Sequence, residues 1–137
     1  MKRIYIDTNI IIDILISRDG YRDALRLIGL AKEMELSLHV STLTMANVAY
    51  ILRKSFVGES LYDKLQTISS KFAIDSLSSE NFKDALDLRA KDFEDALQYF
   101  CAKENSCEVI ITRNAKDFSF SDIPVMNASS FLSVINA

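Results

Sequence analysis

The sequence predicts an α/β fold built on a parallel sheet. Two short apolar runs, Arg3–Ile6 and Glu108–Thr112, are unbroken rather than alternating, as is typical of strands buried on both faces of a sheet. Segments with helical spacing of apolar residues lie between and after them, so strands and helices alternate along the chain. The 137 residues include only 3 Gly and 1 Pro, which disfavours an all-β chain rich in tight turns.

The predicted elements begin with the strand Arg3–Ile6, which stops at Asp7. A helix over Ile10–Ile16 follows directly, with Thr8 or Asn9 as its cap. The apolar spacing then predicts a helix over Tyr21–Leu36. The next elements are a strand at Leu38–Val40 and a helix that is capped by Ser41 or Thr42 and runs to Leu52. A helix over Ser60–Phe72, a strand over Phe72–Leu77 and a helix from Ser78 or Ser79 to Leu88 follow. The last elements are a helix over Lys91–Lys103, the strand Glu108–Thr112, a strand over Ile123–Met126 and a closing helix over Ser129–Ile135.

Length and composition indicate one domain, residues 1–137, with a hydrophobic core that needs no disulfide or structural metal to be stable. A content of 49% hydrophobic and 26% charged residues is ordinary for a globular protein. Cys101 and Cys107 are the only cysteines and His39 is the only histidine, which argues against a zinc site. No secretory signal or membrane span is recognisable, so we expect a cytoplasmic protein with free thiols and no membrane partner.

The net charge of −3 and the lack of a basic tail disfavour a protein that binds nucleic acid by phosphate neutralisation alone. An enzyme that holds divalent cations stays compatible with this charge, because the metal supplies positive charge at the site.

Polar residues follow both apolar strands at the points where the strands end. Parallel sheets bind ligands at the carboxyl ends of their strands, so these residues are candidates for a site. The predicted helix Lys91–Lys103 runs into the strand Glu108–Thr112, so the helix begins at the same sheet edge. Its acids Asp92 and Asp95 share one helix face. The residues expected to converge are Asp7, Asp92, Asp95, Asn114 and Asp117, and Asn9 and Thr112 are further polar residues at the ends of these strands.

Several carboxylates at one place repel each other unless a cation lies between them. Oxygen ligands suit a hard cation, and one or two Mg²⁺ or Mn²⁺ ions held in this way activate water for attack on phosphorus. No single residue of the set is specific for this chemistry; the combination in this order and spacing points to it.

Three segments, IDTNIIIDIL, KDFEDALQYFCAKENSCEVIITRNAKDF and IPVMNASSFL, together resemble a PIN domain, of the prokaryotic branch related to VapC-type toxins. The resemblance spans essentially the whole chain. It implies a three-layer α/β/α fold with a five-stranded, mainly parallel sheet, a divalent-metal site and endoribonuclease activity on RNA. Many relatives are homodimers that a separately encoded antitoxin neutralises, so a second copy and an antitoxin are expected partners.

The resemblance also implies roles for individual residues. Asp7 matches the first metal-ligating acid, and Asp95 matches the acid of the later helix. Asn9 matches a residue that orients the site, and Thr112 with Asn114 matches a T-x-D or T-x-N turn. Asp92 and Asp117 lie beside these positions and complete the expected catalytic set. Arg113 and Lys116 flank the site and are the candidates for contacts with RNA phosphates.

Two positions depart from the family pattern. Many members carry a Glu on the helix after the second strand, where this chain has Asn47, and Asn114 stands where others carry Asp. An amide coordinates through oxygen but brings no charge. These replacements leave open a slow nuclease, or one that depends on Asp92 and Asp117 instead.

Two other functions remain open at this point. The fold could persist as an RNA-binding or protein-binding module with a weakened site. A phosphohydrolase of the haloacid-dehalogenase kind also begins with an Asp after the first strand, and Ser41 fits its phosphate-binding position. That chemistry needs a second Asp where this chain has Asn9. We also expect Asp13 to have a solvated or helix-dipole role outside the site, and the helix faces around Tyr50, Phe56 and Tyr62 to pair with a second copy.

Overall fold

The computed structural model describes residues 2–135 and contains a five-stranded parallel sheet. The strands are β1 (Lys2–Ile6), β2 (Leu36–Ser41), β3 (Ala73–Asp75), β4 (Val109–Ile111) and β5 (Val125–Met126). Their order across the sheet is β3-β2-β1-β4-β5, and every neighbouring pair is parallel. This order confirms the predicted class and places β1 at the centre.

Seven helices connect and cover the strands in the described part of the chain. They are α1 (Thr8–Leu15), α2 (Tyr21–Leu30), α3 (Thr42–Leu52), α4 (Glu59–Ser69), α5 (Ser79–Leu88), α6 (Phe93–Glu104) and α7 (Ala128–Ile135), and a 3₁₀ turn occupies Ala115–Phe118. None of the helices within residues 2–135 has the length and apolar character that a bilayer crossing requires.

The alternation of β1 side chains separates two apolar layers. Ile4 and Ile6 point into a cluster covered by α1, α2, α3 and α7. Tyr5 points to the opposite face, where it packs with Tyr99 and Ile110 beneath α6. All three β1 residues are essentially inaccessible to solvent. The sheet is therefore covered on both faces, as its unbroken apolar strands predict, and the architecture is a three-layer α/β/α sandwich.

The predicted helix Tyr21–Leu36 was too long. Helix α2 ends at Leu30, and turns lead to Glu35, which adopts a left-handed φ of 56°. Leu36 then begins β2, where it pairs with Lys2 of β1. The apolar spacing continues past Leu30, but pairing with the central strand satisfies the backbone of this segment better than one more helical turn would.

Two helix starts also differ from the prediction. Asp7 itself is the N-cap of α1, so Thr8 and Asn9 lie inside the first turn. Helix α6 begins at Phe93 with Asp92 as its N-cap, instead of at Lys91. The Asp92 side chain accepts a 3.1 Å hydrogen bond from the backbone N–H of Asp95. The other predicted elements agree with the structure to within a few residues at each end.

Candidate active site

Asp7 lies where the central strand β1 passes directly into α1. Its side chain is almost fully buried, with 3% of its surface exposed. Oδ2 accepts a 2.7 Å hydrogen bond from the Thr112 hydroxyl, and Oδ1 accepts a 2.9 Å bond from Nε2 of Gln98. The pKa of Asp7 is raised by burial, which the hydrogen bonds from Thr112 and Gln98 only partly offset. Oδ1 also accepts a longer bond of 3.5 Å from the backbone N–H of Asn9. Both carboxylate oxygens are thus held in place, and Oδ2 keeps a lone pair for a further partner.

Gln98 is a site residue that the sequence reasoning missed. It is fully buried on α6, and its Oε1 accepts hydrogen bonds from the backbone N–H and the hydroxyl of Thr8, at 3.0 and 3.2 Å. These two donors fix the orientation of the amide, so Nε2 must face Asp7. The available signal was a single amide in an otherwise apolar stretch of helix, three residues after Asp95 and therefore on the same face.

Asp95 lies in the first turn of α6 and is buried, with 8% of its surface exposed. Burial and then the charge of Asp7 raise the pKa of Asp95 to about 7. Asp92, Asp117 and Glu94 act in the same direction. The structure therefore brings four of the predicted acids within electrostatic range of one another. Asp92 additionally serves as the helix cap, a role that the sequence reasoning did not assign to it.

Glu94 and Asn47 form a contact across the mouth of the site. Nδ2 of Asn47 on α3 donates a 3.1 Å hydrogen bond to Oε1 of Glu94 on α6. Burial, followed by the charges of Asp92 and Asp7, raises the pKa of Glu94. The sequence reasoning placed Asn47 near the site but left Glu94 out, since nothing in the sequence says that α3 and α6 meet here.

The residues after β4 divide between the interior and the surface. Thr112 is buried against Asp7, and its hydroxyl also accepts from the backbone N–H of Asn114 at 3.3 Å. The side chains of Asn114 and Asp117 are exposed around the 3₁₀ turn, and Asn9 is exposed at the start of α1. Thr112 therefore holds Asp7, whereas these exposed side chains lie on the solvent side of the cluster.

Arg113 is anchored by Asp13, for which the sequence reasoning wrongly expected a solvated or helix-dipole role. Only 3% of Asp13 is exposed, because it lies on the inner face of α1 beneath two arginines. Its Oδ1 lies 3.2 Å from Nη1 of Arg113 and 3.5 Å from Nη1 of Arg18. Arg113 also lowers the pKa of Asp7 through its charge. A buried carboxylate thus holds one cationic side chain beside the acidic cluster.

An open groove of about 600 Å³ runs past the cluster between the start of α6 and the 3₁₀ turn. It carries positive and negative side chains side by side on its walls. The lining residues are Leu88, Ala90, Lys91, Asp92, Lys116, Asp117, Ser119 and Phe120. The groove gives an extended ligand access from solvent to Asp92 and Asp117, next to the first turn of α6 that carries Asp95.

The donor set consists of carboxylate, amide and hydroxyl oxygens, which suit a hard divalent cation. Over residues 2–135, no three Asp, Glu, His or Cys side chains lie close enough to hold one ion together. A cation such as Mg²⁺ often uses one or two protein carboxylates and keeps several waters. The residues present therefore fit a hydrated divalent cation held by two carboxylates, and they do not form a closed metal cage.

The haloacid-dehalogenase alternative does not fit this geometry. Ser41, the expected phosphate-binding hydroxyl, is fully buried. Its oxygen caps α3 by accepting from the backbone N–H of Thr44 at 3.2 Å. A phosphate at Asp7 has no access to this hydroxyl.

The fold and the site define an α/β protein with an acidic cluster at the carboxyl edge of a parallel sheet. The profile of the PIN domain family matches residues 3–116, and the chain therefore belongs to this family. Ribonuclease VapC1 from Aquifex aeolicus is 26% identical over 95% of this chain and 93% of its own length.

Solved structures share the fold of this chain. A toxin–antitoxin complex from Klebsiella pneumoniae contains a chain 26% identical to this one, with a TM-score of 0.67 over 90% of this chain and 96% of that chain. VapBC2 from Rickettsia felis, solved bound to a DNA fragment from their promoter, is 22% identical with a TM-score of 0.66 over 91% of this chain and 97% of that chain. The second likeness supports the fold alone.

Proposed function

We propose that this protein is an endoribonuclease that uses Mg²⁺ or Mn²⁺ and acts as the toxin of a toxin–antitoxin pair. The observation that carries the proposal is Asp7, buried at the end of the central strand with both oxygens held by Gln98 and Thr112. The charge of a carboxylate so constrained stays at one place, from which it acts on Asp95 in the first turn of α6. The likeness to Ribonuclease VapC1 over nearly the full length of both chains supports the reaction class.

Asp7 and Asp95 are the proposed metal ligands. A divalent cation bound there would supply an activated water and stabilise charge that develops on the phosphate. Asp92 holds the first turn of α6, so the backbone at Asp95 stays in place. Asp117, on the rim, and Asn9, at the start of α1, are placed to contact water or substrate.

The groove beside the cluster is the proposed path of the RNA. Lys116 lies in its wall, and Arg113 lies beside Asp7 with its guanidinium anchored on Asp13. Both side chains are exposed and positively charged, as contacts with phosphate require. Asn114, at the turn between them, would orient the RNA strand rather than bind metal, because it is neutral and exposed.

Cleavage of RNA by the purified chain tests this proposal. A mixture of structured RNAs is incubated with Mn²⁺, with Mg²⁺ and with EDTA, using the wild type and an Asp7→Asn, Asp95→Asn double variant. The matched control is Asp84→Asn, Asp87→Asn, which removes the same charge from the exposed side of α5. We expect metal-dependent cleavage by the wild type and the control, and none by the site variant. No cleavage by folded wild-type protein with either metal would leave the fold with a non-catalytic binding role.

We further propose that a second copy binds the apolar surface around α3 and α4, and that an antitoxin is a separate partner of the protein. Tyr50 and Tyr62 are 59% and 69% exposed, whereas Phe56 packs partly against the core and takes little part. A shallow groove of about 480 Å³ next to Tyr62 is lined mainly by Met45, Leu65 and Ile74. Sedimentation at micromolar concentration should give a dimer that Tyr62→Glu converts to monomers. An unchanged mass for that variant would place the contact elsewhere.

Both cysteines have free thiols and are buried, as expected for a protein of a reducing compartment. We therefore propose that the protein acts in the cytoplasm, where its RNA substrate is found.

A further inference from the structure

We infer that Glu94, held in place by Asn47, is a positioning carboxylate that orients the waters of the bound metal. The inference rests on the proposed function, because it assumes a cation between Asp7 and Asp95. It assigns the single carboxylate of the contact between α3 and α6 to Glu94, whose partner Asn47 is neutral. The site then keeps its acidic character although residue 47 is neutral.

The contact between α3 and α6 carries the argument. A carboxylate only accepts hydrogen bonds, so the atom of Asn47 that lies 3.1 Å from Oε1 of Glu94 must be its amide nitrogen. This bond joins two helices whose residues are 47 positions apart in the chain. A half-buried glutamate in a first helical turn has several rotamers available, and the amide selects one that stays at the site. Oε2 remains available to accept from another donor.

Over residues 2–135, no three Asp, Glu, His or Cys side chains lie close enough to share one ion, and this geometry favours an indirect role for Glu94 over direct coordination. A direct third ligand would need Asp7, Asp95 and Glu94 to surround one ion. A carboxylate one water away from the ion needs only to lie at the rim of the cluster, where Glu94 lies. Its charge reaches both Asp7 and Asp95 from there. Outer partners of this kind orient metal-bound groups, and their loss typically lowers metal affinity about 10-fold to 100-fold.

The structure also suggests how to move this charge. Asn47 and Glu94 share one hydrogen bond, so exchanging acid and amide between the two positions keeps both groups at the rim. The double variant Asn47→Glu, Glu94→Gln therefore has the charge on α3 instead of α6, with an amide still facing it.

Calorimetric titration with Mn²⁺ tests the inference on four full-length proteins. They are the wild type, Glu94→Gln, the exchanged double variant, and Glu104→Gln as the matched control. Glu104 is an exposed glutamate at the other end of α6, roughly 15 Å along the helix from Glu94. Cleavage of RNA is measured in parallel, and urea unfolding in EDTA reports on the metal-free fold.

We expect Glu94→Gln to weaken Mn²⁺ binding about 10-fold, the exchanged variant to recover most of that loss, and Glu104→Gln to bind like the wild type. Glu94→Gln should not lower the free energy of unfolding in EDTA, because it removes a repelling charge and its amide oxygen can still accept from Asn47. Weaker Mn²⁺ binding in a variant of unchanged or higher stability then assigns the effect to the charge of Glu94. Equal Mn²⁺ affinity for the wild type and Glu94→Gln would overturn the inference and leave the proposed function intact. A wild type that neither binds Mn²⁺ nor cleaves RNA would instead remove the proposed function itself.

Discussion

Nε2 of Gln98 donates a 2.9 Å hydrogen bond to Oδ1 of Asp7, and this bond joins helix α6 to the end of the central strand. The opposite end of the same amide accepts from Thr8, in the first turn of α1. A single buried side chain thus sets the relative position of the strand, the following helix and the helix that carries Asp95. The candidate site depends on this link as much as on its acids.

Replacement of Gln98 by Leu should damage both stability and activity. The variant removes the Gln98 donor from Oδ1 of the buried Asp7 carboxylate and the Gln98 acceptor from the Thr8 N–H, which costs about 1–3 kcal/mol for each group. We expect a lower urea midpoint and at least a tenfold loss of RNA cleavage. Gln66→Leu, an amide of the surface helix α4, is the control. Full activity in a stable Gln98→Leu protein would show that Asp7 does not need this bond.

Replacement of Thr112 by Val tests the other hydrogen bond to Asp7, and it also removes the 3.3 Å bond that the hydroxyl accepts from the Asn114 N–H. Val keeps the shape of Thr but removes the 2.7 Å bond to Oδ2, so the pKa of Asp7 should rise further. Mn²⁺ then competes with a proton, and its affinity should fall most at low pH and recover as the pH rises. Thr112→Ser keeps the donor and should behave like the wild type. The same loss for Val and Ser at all pH values would contradict this account.

The stability of the metal-free protein should depend on pH through Asp95. Its pKa is about 7 in the folded protein but about 3.9 in an unfolded chain. Between these values the folded state binds a proton that the unfolded state has released, so protonation of Asp95 stabilises the folded state. This stabilisation is complete below about pH 4 and is lost as the pH rises through 7. We expect Asp95→Asn to raise the free energy of unfolding in EDTA at about pH 8 by roughly 2 kcal/mol. Urea unfolding at about pH 5 and pH 8 measures this difference; an unchanged pH dependence in the variant would contradict the prediction.

The anchoring of Arg113 by Asp13 predicts an effect on substrate binding. Asp13→Asn weakens the hold on the guanidinium, so KM for RNA should rise several-fold while kcat changes less. Arg113→Gln should raise KM further and reduce the salt dependence of RNA binding by the equivalent of about one phosphate contact. Asp19→Asn, an exposed acid of the neighbouring loop, is the control. A fall in kcat alone would place Arg113 in the chemical step instead of in RNA binding.

The sequence by itself predicted the fold class and most of the acids of the candidate site. Unbroken apolar runs such as Ile4–Ile6 and Val109–Ile111 indicate strands that need cover on both faces, and this requirement leads to the α/β class. The rule that parallel strands end at one edge then predicts that Asp7, Asp92 and Asp95 come close together. These conclusions depend on local pattern and on a general rule of sheet topology, both of which are readable from one chain.

Only the tertiary structure decided which side chains support the acids. Asp13 and Gln98 are polar residues in helices, and their spacing is compatible with an exposed face as well as with a buried one. Their burial depends on which helix faces meet the sheet, and that is set by packing between segments about 90 to 100 residues apart in the chain. The Asn47–Glu94 contact has the same origin, since hydrogen bonds between distant helices depend on packing and leave no periodic trace in a sequence.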